Sequence, residues 1–275
     1  MNLYITGTPL GNLEDMSVRA VRTLKEVDVI LCEDTRLTRK LTNHFEISTP
    51  LRSYHDYNKE QVEEDIIAEM KDGKTFALVS DAGMPVISDP GYELIRKMQE
   101  ADLEYVVIPS ASAFTLALVA SGIPSFEFTF FGFLPKTGSK KNDKLKQIMF
   151  HPQTSVLYES PHKLKQTIKS MMEIDEEREV SISREITKKF EQHRRGTVRE
   201  IYDMLDSGIP LKGEFVIVIR GYEEEDMVSD TPIKEHVNQF IEQGMKPTKA
   251  IKMVADIKGM KKQEVYDLYH DDKEG

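Results

Sequence analysis

The sequence predicts an α/β protein of two α/β domains with a ligand cleft between them, followed by a small helical unit at the carboxyl end. Three observations predict it. Short apolar runs alternate with amphipathic stretches in βαβα order up to residue 121. A second cycle of the same kind runs from 127 to 219. From residue 231 onward only helical periodicity is left. A chain of 275 residues is expected to divide into about two domains, each burying its own core.

Residues 3–6 are a strand, 17–25 a helix opened by a Ser17 cap, 28–32 a strand and 36–44 a helix. A third helix covers 57–71. The strand at 75–80, helix at 91–99, strand at 104–108 and helix at 113–121 complete the first cycle, whose short connections predict a largely parallel sheet. In the second cycle 127–133 and 154–158 are strands, 163–172 a helix, 179–183 a strand, 198–205 a helix and 214–219 a strand. The domains are thus 1–113 and 114–222, and the acidic run Glu223-Glu224-Glu225-Asp226 is a linker. In the unit 230–275, Ile233, Val237, Phe240 and Ile241, then Ala250, Ile251, Val254 and Ala255, fall at helical spacing over 233–243 and 247–257. A third helix covers 263–269. With Gly244 and Gly259 between them, the three helices read as a helix-turn-helix-like unit, and a packing appendage is the alternative.

Net charge is −10, which argues against nucleic acid as a partner. The average conceals three basic stretches: 136–146 has five lysines and one acid, 184–199 six Lys/Arg and two acids, and 244–262 six lysines and one acid. They either line one face or are ordinary solvated segments. The single cysteine, Cys32, excludes a disulfide framework and a cysteine-based zinc site, and its run Val29-Ile30-Leu31-Cys32 marks it as a core residue. None of the seven histidines joins a metal motif, so no metal is expected. The amino end enters a strand at once and no apolar run spans a membrane, which predicts a cytoplasmic protein with no membrane partner.

The most informative stretch is 79–91, Val-Ser-Asp-Ala-Gly-Met-Pro-Val-Ile-Ser-Asp-Pro-Gly, which follows a buried strand. In open α/β sheets ligands collect beyond the carboxyl ends of strands, and Gly83 and Gly91 let backbone approach a ligand closely. Asp81 and Asp89 repel phosphate and suit a cation, so a positively charged cofactor fits better than a nucleotide polyphosphate. Neither a Gly-x-x-x-x-Gly-Lys-Ser/Thr loop nor a dinucleotide fingerprint occurs.

Several segments then fall into a known order. They are Tyr4-Ile5-Thr6-Gly7-Thr8-Pro9-Leu10-Gly11-Asn12-Leu13-Glu14-Asp15, Cys32-Glu33-Asp34-Thr35-Arg36-Leu37-Thr38, Ser53-Tyr54-His55, the 79–91 loop, Gly132-Phe133-Leu134-Pro135, Tyr158-Glu159-Ser160-Pro161-His162 and Lys212-Gly213-Glu214-Phe215. In this order the chain resembles the small-subunit ribosomal RNA methyltransferase I group of the tetrapyrrole methylase superfamily, from about residue 3 to 220, with the tail where that group has a helix-turn-helix-like unit. The resemblance implies an S-adenosyl-L-methionine-dependent enzyme that methylates the ribose 2′-hydroxyl of a cytidine in the decoding centre of 16S rRNA. It also implies the small ribosomal subunit as partner, a homodimer, and a cofactor folded into the cleft between the domains.

On the matching motifs, the resemblance places the cofactor against Pro9, Leu10, Asp81, Gly83, Met84, Ser112 and Ala113, and against Tyr158 and Gly213 of the second domain. Met84-Pro85-Val86 stands where Thr-Pro-Gly is usual, and Ser110-Ala111-Ser112 where Gly-Pro-Ser is usual. Methyl transfer needs a proton acceptor, for which Glu33, Asp34, Glu159 and His162 are the catalytic candidates. Arg36 and Arg39 are candidates for substrate binding or for a local ion-pair network. Tyr54 and His55 are candidates for base stacking or for an aromatic hairpin edge, and Lys136, Lys140, Lys141, Lys188, Arg194 and Arg195 for phosphate contacts. The rival readings are a methylase of a small corrin or porphyrin and a ligand-sensing DNA-binding regulator.

Overall fold

The structure, a computed structural model, describes residues 1–136, 138–205, 207–222, 232–242 and 245–270. The predicted linker 223–226, Gln243 and Gly244 lie outside the described residues. Two five-stranded sheets follow one another along the chain.

The first sheet consists of β1 (Leu3–Thr6), β2 (Val29–Cys32), β3 (Leu51–Ser53), β4 (Phe76–Leu78) and β5 (Tyr105–Ile108) in the order β3-β2-β4-β1-β5, every pair parallel. Alternation sends successive residues to opposite faces. Val29 and Leu31 pack with Phe76 and Leu78 beneath Ile66 and Met70 of α3 (Lys59–Lys71) and Leu94 and Met98 of α4 (Tyr92–Glu100). Ile30 and Cys32 pack with Ala77 and Val79 on the other face, under Leu24 of α1 (Val18–Glu26). Cys32 is fully buried, as its apolar run predicts. Ser17 caps α1 by accepting the Ala20 amide at 3.1 Å, which satisfies one of the orphan donors of a helix start. Helix α2 (Thr35–His44) leads into β3, an edge strand too short to show a period in sequence.

The second sheet is mixed: β6 (Phe128–Phe133), β7 (Thr154–Glu159), β8 (Glu179–Arg184), β9 (Gln192–Thr197) and β10 (Phe215–Ile219) in the order β6-β7-β10-β8-β9. Only β6 and β7 run parallel. Along β10, Phe215, Ile217 and Ile219 face α6 (Ser139–Met149), α7 (Pro161–Met172) and α8 (Val198–Met204). Val216 and Val218 face α5 (Ala113–Ser121) instead. Helix α5 is apolar almost all round because it lies across this sheet, under which Ala117 and Leu118 are buried. It therefore links β5 of one sheet to the covered face of the other.

Besides β3 and a short 3-10 turn at Leu13–Asp15, two longer elements escape the sequence reading. Strand β9 reads Gln-His-Arg-Arg-Gly-Thr, a polar edge strand paired on one side only, which has no apolar alternation to reveal it. Helix α6 sits inside the lysine-rich stretch, where Leu145, Ile148 and Met149 supply the buried stripe that the charges obscure. At the carboxyl end α9 (Ile233–Glu242), α10 (Pro247–Ile257) and α11 (Lys262–His270) close around Val237, Phe240, Ala250, Ile251, Val254 and Val265, a core of their own. No helix among the described residues is long and apolar enough to cross a membrane.

Candidate active site

Because β1, β4 and β5 are parallel neighbours, their carboxyl ends open on one edge of the first sheet, and the chain ties the three loops together there. Thr8 and Gly83 exchange backbone hydrogen bonds of 2.9 and 3.0 Å. The Thr8 hydroxyl donates to the Ser80 carbonyl (3.1 Å), that of Ser80 to the Gly83 carbonyl (3.0 Å) and that of Ser110 to the Thr8 carbonyl (3.3 Å). A Cβ at Gly7 would collide with Ser110 Cβ and Met84 Sδ, so this approach requires glycine. The loop 79–91 is strained: Gly83 has φ 86°, Val86 75°, Ser88 67° and Gly91 134°. A β-branched residue in that region is an outlier that persists only where its surroundings hold it.

The second sheet presents the end of β7 and the start of β10 to the same space, since Phe215 pairs antiparallel with Glu159. The buried Glu159 carboxylate accepts the Ser160 amide and the Thr167 hydroxyl, each at 2.7 Å, and Lys141 donates to that hydroxyl at 2.9 Å. Below Gly213, Glu185 accepts the Glu214 amide at 3.1 Å and pairs with Lys188 at 3.1 Å, and Lys188 reaches Glu214 at 3.0 Å.

Between the two walls lies a cavity of about 400 Å³, within the range that encloses a cofactor-sized ligand. The first sheet's loops contribute Leu10, Glu33, Asp81 to Met84 and Ile87 to Asp89, with Ser112 and Ala113 at the start of α5. The second contributes Phe133, Tyr158 to Pro161 and Gly213 to Val216. Among the described residues five carboxylates line it, those of Glu33, Asp81, Asp89, Glu159 and Glu214, and no basic side chain does. Burial, then the neighbouring Asp81 and Asp56 charges, pushes the Glu33 carboxyl up. Burial likewise raises Asp81, against a hydrogen bond from the Asp34 amide. Such a wall holds negative potential facing an apolar floor and attracts a compact cation. Among the described residues no three of His, Cys, Asp or Glu converge as a metal-binding group.

Of the predicted cofactor residues, Leu10, Asp81, Gly83, Met84, Ser112, Ala113, Tyr158 and Gly213 lie in the cavity wall, and Pro9 is buried and does not line it. Among the proton-acceptor candidates Glu33 and Glu159 line the cavity, whereas Asp34 and His162 do not. Asp34 caps α2 through the Arg36 amide (2.8 Å) and pairs with the Arg36 guanidinium (2.8 Å). Those bonds hold its carboxyl down at about 2, so it is a poor base. Arg36 is thus spent on a local surface pair, and Arg39 is exposed on the same helix.

Tyr54 does not fit base stacking: it is 1% exposed and donates to Glu63 at 2.8 Å. No hairpin forms there, because β3 is a parallel edge strand, and His55 is half-buried with an unpartnered Nδ1. Lys141 supports Thr167 and Lys188 braces Glu185 and Glu214, so neither is a free phosphate contact. Arg194 and Arg195 are successive residues of β9 and point to opposite faces, and Arg195 pairs with Glu179 at 2.5 Å. Lys136 and Lys140 are exposed. The reading of the sequence gave Asp89 to the acidic loop but not to the site residues, and it passed over Ala82, Ile87, Phe133, Pro161 and Phe215, which the meeting of the two sheets brings together.

Residues 2–202 match the Tetrapyrrole (Corrin/Porphyrin) Methylases. The chain belongs to that family. Its curated relatives include proteins named ribosomal RNA small subunit methyltransferase I from Halalkalibacterium halodurans and Bacillus subtilis, each 44% identical over 274 residues, 98% of this chain and 94% of the relative. One of the same name from Synechocystis is 38% identical over 97% of this chain and 96% of its own length. The tetrapyrrole methylase fold is also that of two solved structures, each 19% identical and covering 79% of this chain. These are a uroporphyrin-III-C-methyltransferase from Thermus thermophilus (TM-score 0.56, 93% of that chain) and a cobalt precorrin-4 methyltransferase (TM-score 0.60, 94% of that chain).

Proposed function

We propose that this tetrapyrrole methylase family member transfers a methyl group from S-adenosyl-L-methionine to ribosomal RNA, at the ribose 2′-hydroxyl of a cytidine in the decoding centre of 16S rRNA. The observation that carries the cofactor is the five-carboxylate cavity between the two sheets, whose donor set suits a sulfonium and an ammonium group and opposes a phosphate. Bound there, the cofactor supplies an electrophilic methyl carbon. Leu10, Met84, Ala113 and Tyr158 offer the apolar surface that would hold the nucleoside, and the strand-end carboxylates would hold the cationic end.

The name shared by the curated relatives supports RNA as the acceptor. So do the exposed Lys136 and Lys140 and the exposed Lys246, Lys249, Lys252, Lys261 and Lys262 of the helical unit, which suit phosphates and read no sequence. The position on the ribose and the assembled small subunit as substrate come from the resemblance of the motifs. A homodimer working in the cytoplasm completes the reading, and the exposed Val107, Val119, Phe126 and Phe128 suit burial against a second copy. The second reading, methylation of a small tetrapyrrole or corrin, is favoured by the shared fold alone.

The test incubates the purified protein with labelled S-adenosyl-L-methionine and small subunits from a strain lacking the enzyme, followed by mass spectrometry of 16S nucleosides. A new ribose-methylated cytidine is expected. Cofactor binding without transfer to subunits or free RNA, but with transfer to a precorrin, overturns the RNA reading.

A further inference from the structure

Asp89 stands in the loop between β4 and α4 and lines the cavity. It is half-buried, and among the described residues its carboxylate has neither a hydrogen-bond donor nor a cation against it. The other acids of the wall are mostly occupied: Asp81 by the Asp34 amide, Glu159 by Ser160 and Thr167, and Glu214 by Lys188. Glu33 also lacks a donor, but it is more open to solvent than Asp89. The groups that face Asp89 are the acids Glu33, Asp81 and Asp56 and, from the second sheet, the Tyr158 phenol.

The chain strains its backbone to put Asp89 there. Val86 and Ser88 both have positive φ just before it, and such strain persists only where the surroundings over-determine it. A Cβ at Gly91 would press on Leu78 and Val86, and one at Gly132 would lie 3.3 Å from the Ser88 hydroxyl. The loop is therefore clamped between its own strand and the bulge of β6.

We propose that Asp89 accepts the proton of the RNA hydroxyl during methyl transfer. The inference rests on the function proposed above and names the base that reaction needs. As the Asp89 carboxylate takes the proton, the new carbon–oxygen bond forms and the carbon–sulfur electron pair returns to sulfur. Asp89 loses its negative charge in the same step in which the sulfonium loses its positive one. The charge of the cleft is unchanged, so no isolated charge is left in a half-buried site. Burial, then the Glu33, Asp81 and Asp56 charges, pushes the Asp89 carboxyl up to about 7, near the pH at which a base works best.

The experiment titrates the full-length protein calorimetrically at pH 7 with S-adenosyl-L-methionine and, separately, S-adenosylhomocysteine, in two buffers of different ionisation enthalpy. A sulfonium beside Asp89 favours its ionised form, so the first ligand releases protons and the neutral thioether does not. Asp89→Asn abolishes the release, and Glu33→Gln diminishes it, because the Glu33 charge helps hold the Asp89 proton. In single-turnover methylation of small subunits, Asp89→Asn is expected to be about 10²- to 10⁴-fold slower with cofactor affinity within about tenfold. Should Asp89→Asn misfold, Asp89→Glu keeps a titrating group and is expected to retain proton release with a displaced pH–rate profile.

Proton release or a wild-type rate in Asp89→Asn overturns the proposal, as does an unmoved profile in Asp89→Glu. Wild-type protein that binds and methylates, with Asp89→Asn unaffected, removes this inference and leaves the function standing. Wild-type protein that binds no S-adenosyl-L-methionine removes both.

Discussion

Gly73 and Gly213 have nearly the same backbone, φ 93° and 91°, but differ in what an added methyl would meet. At Gly73, between α3 and β4, a Cβ finds nothing within 4 Å. At Gly213 it collides with the Glu185 carboxyl. Gly73→Ala should therefore cost only the left-handed backbone penalty, about 1–2 kcal/mol. Gly213→Ala bears the same penalty and also expels Glu185 from the Glu214 amide and from Lys188. Losing charged hydrogen bonds of that kind adds about 2–4 kcal/mol. At about 2–4 °C per kcal/mol for a chain of this size, calorimetry should show Gly73→Ala melting a few degrees low and Gly213→Ala about 10 °C low. Gly213 lines the cavity, so S-adenosyl-L-methionine affinity should fall more than about tenfold in Gly213→Ala and stay unchanged in Gly73→Ala. Equal melting temperatures for the two variants, or normal cofactor affinity in Gly213→Ala, would refute the reasoning.

Three further outcomes are expected. Tyr54→Phe leaves the buried Glu63 with Lys97 alone, at 3.2 Å, and should cost about 1–3 kcal/mol in denaturant unfolding with methylation intact; a lost activity at unchanged stability would return Tyr54 to the substrate. Converting Lys249, Lys252 and Lys262 together to Glu should weaken small-subunit binding and flatten its salt dependence while cofactor affinity is kept, and unaltered subunit binding would make the helical unit a packing appendage. His236 is buried against Phe240, with both ring nitrogens unpartnered, and burial first, then Lys258, lowers its pKa. The folded unit binds the proton less readily than the unfolded one, so its stability is whole above the ordinary histidine range and declines as pH falls through it. Hydrogen-exchange protection factors of α9–α11, corrected for the intrinsic pH dependence of exchange, should fall at pH 5 relative to pH 8 in the wild type but not in His236→Phe, and equal behaviour of the two would sink that account.

Part of the cavity wall was legible because turn chemistry marks strand ends: Asp81 and Gly83 follow a buried apolar run. Gly213, which precedes the all-buried Phe-Val-Ile-Val-Ile of β10, was placed by the resemblance of its motif. Asp89 stands in the same loop, yet nothing local separates it from Asp81: its lack of a donor arises only once the loop folds back under Glu33. Tyr54 misleads for the opposite reason. It sits in a polar segment beside exposed Tyr57, but its hydroxyl finds Glu63 nine residues on, across the start of α3. Charged residues deceive most, because sequence shows a lysine's charge and not its partner. Lys141 and Lys188 read as phosphate ligands and turn out to brace Glu159 and Glu214.

The acidic balance of the chain is then compatible with an RNA substrate once charge is placed rather than summed. The five carboxylates of the cavity face inward from strand ends, where low-dielectric walls focus their field on a small volume. The exposed lysines of the helical unit and of the start of α6 face water, where their reach is limited to about a Debye length, roughly 8 Å at physiological salt. On the proposed function, an RNA backbone would meet lysines outside the cavity while one nucleotide enters the cleft through its neutral ribose and base. An acidic lining of this kind opposes a phosphate at the reacting centre, in keeping with the neutral hydroxyl of the proposed reaction. It also explains why the cavity needs no arginine or lysine of its own.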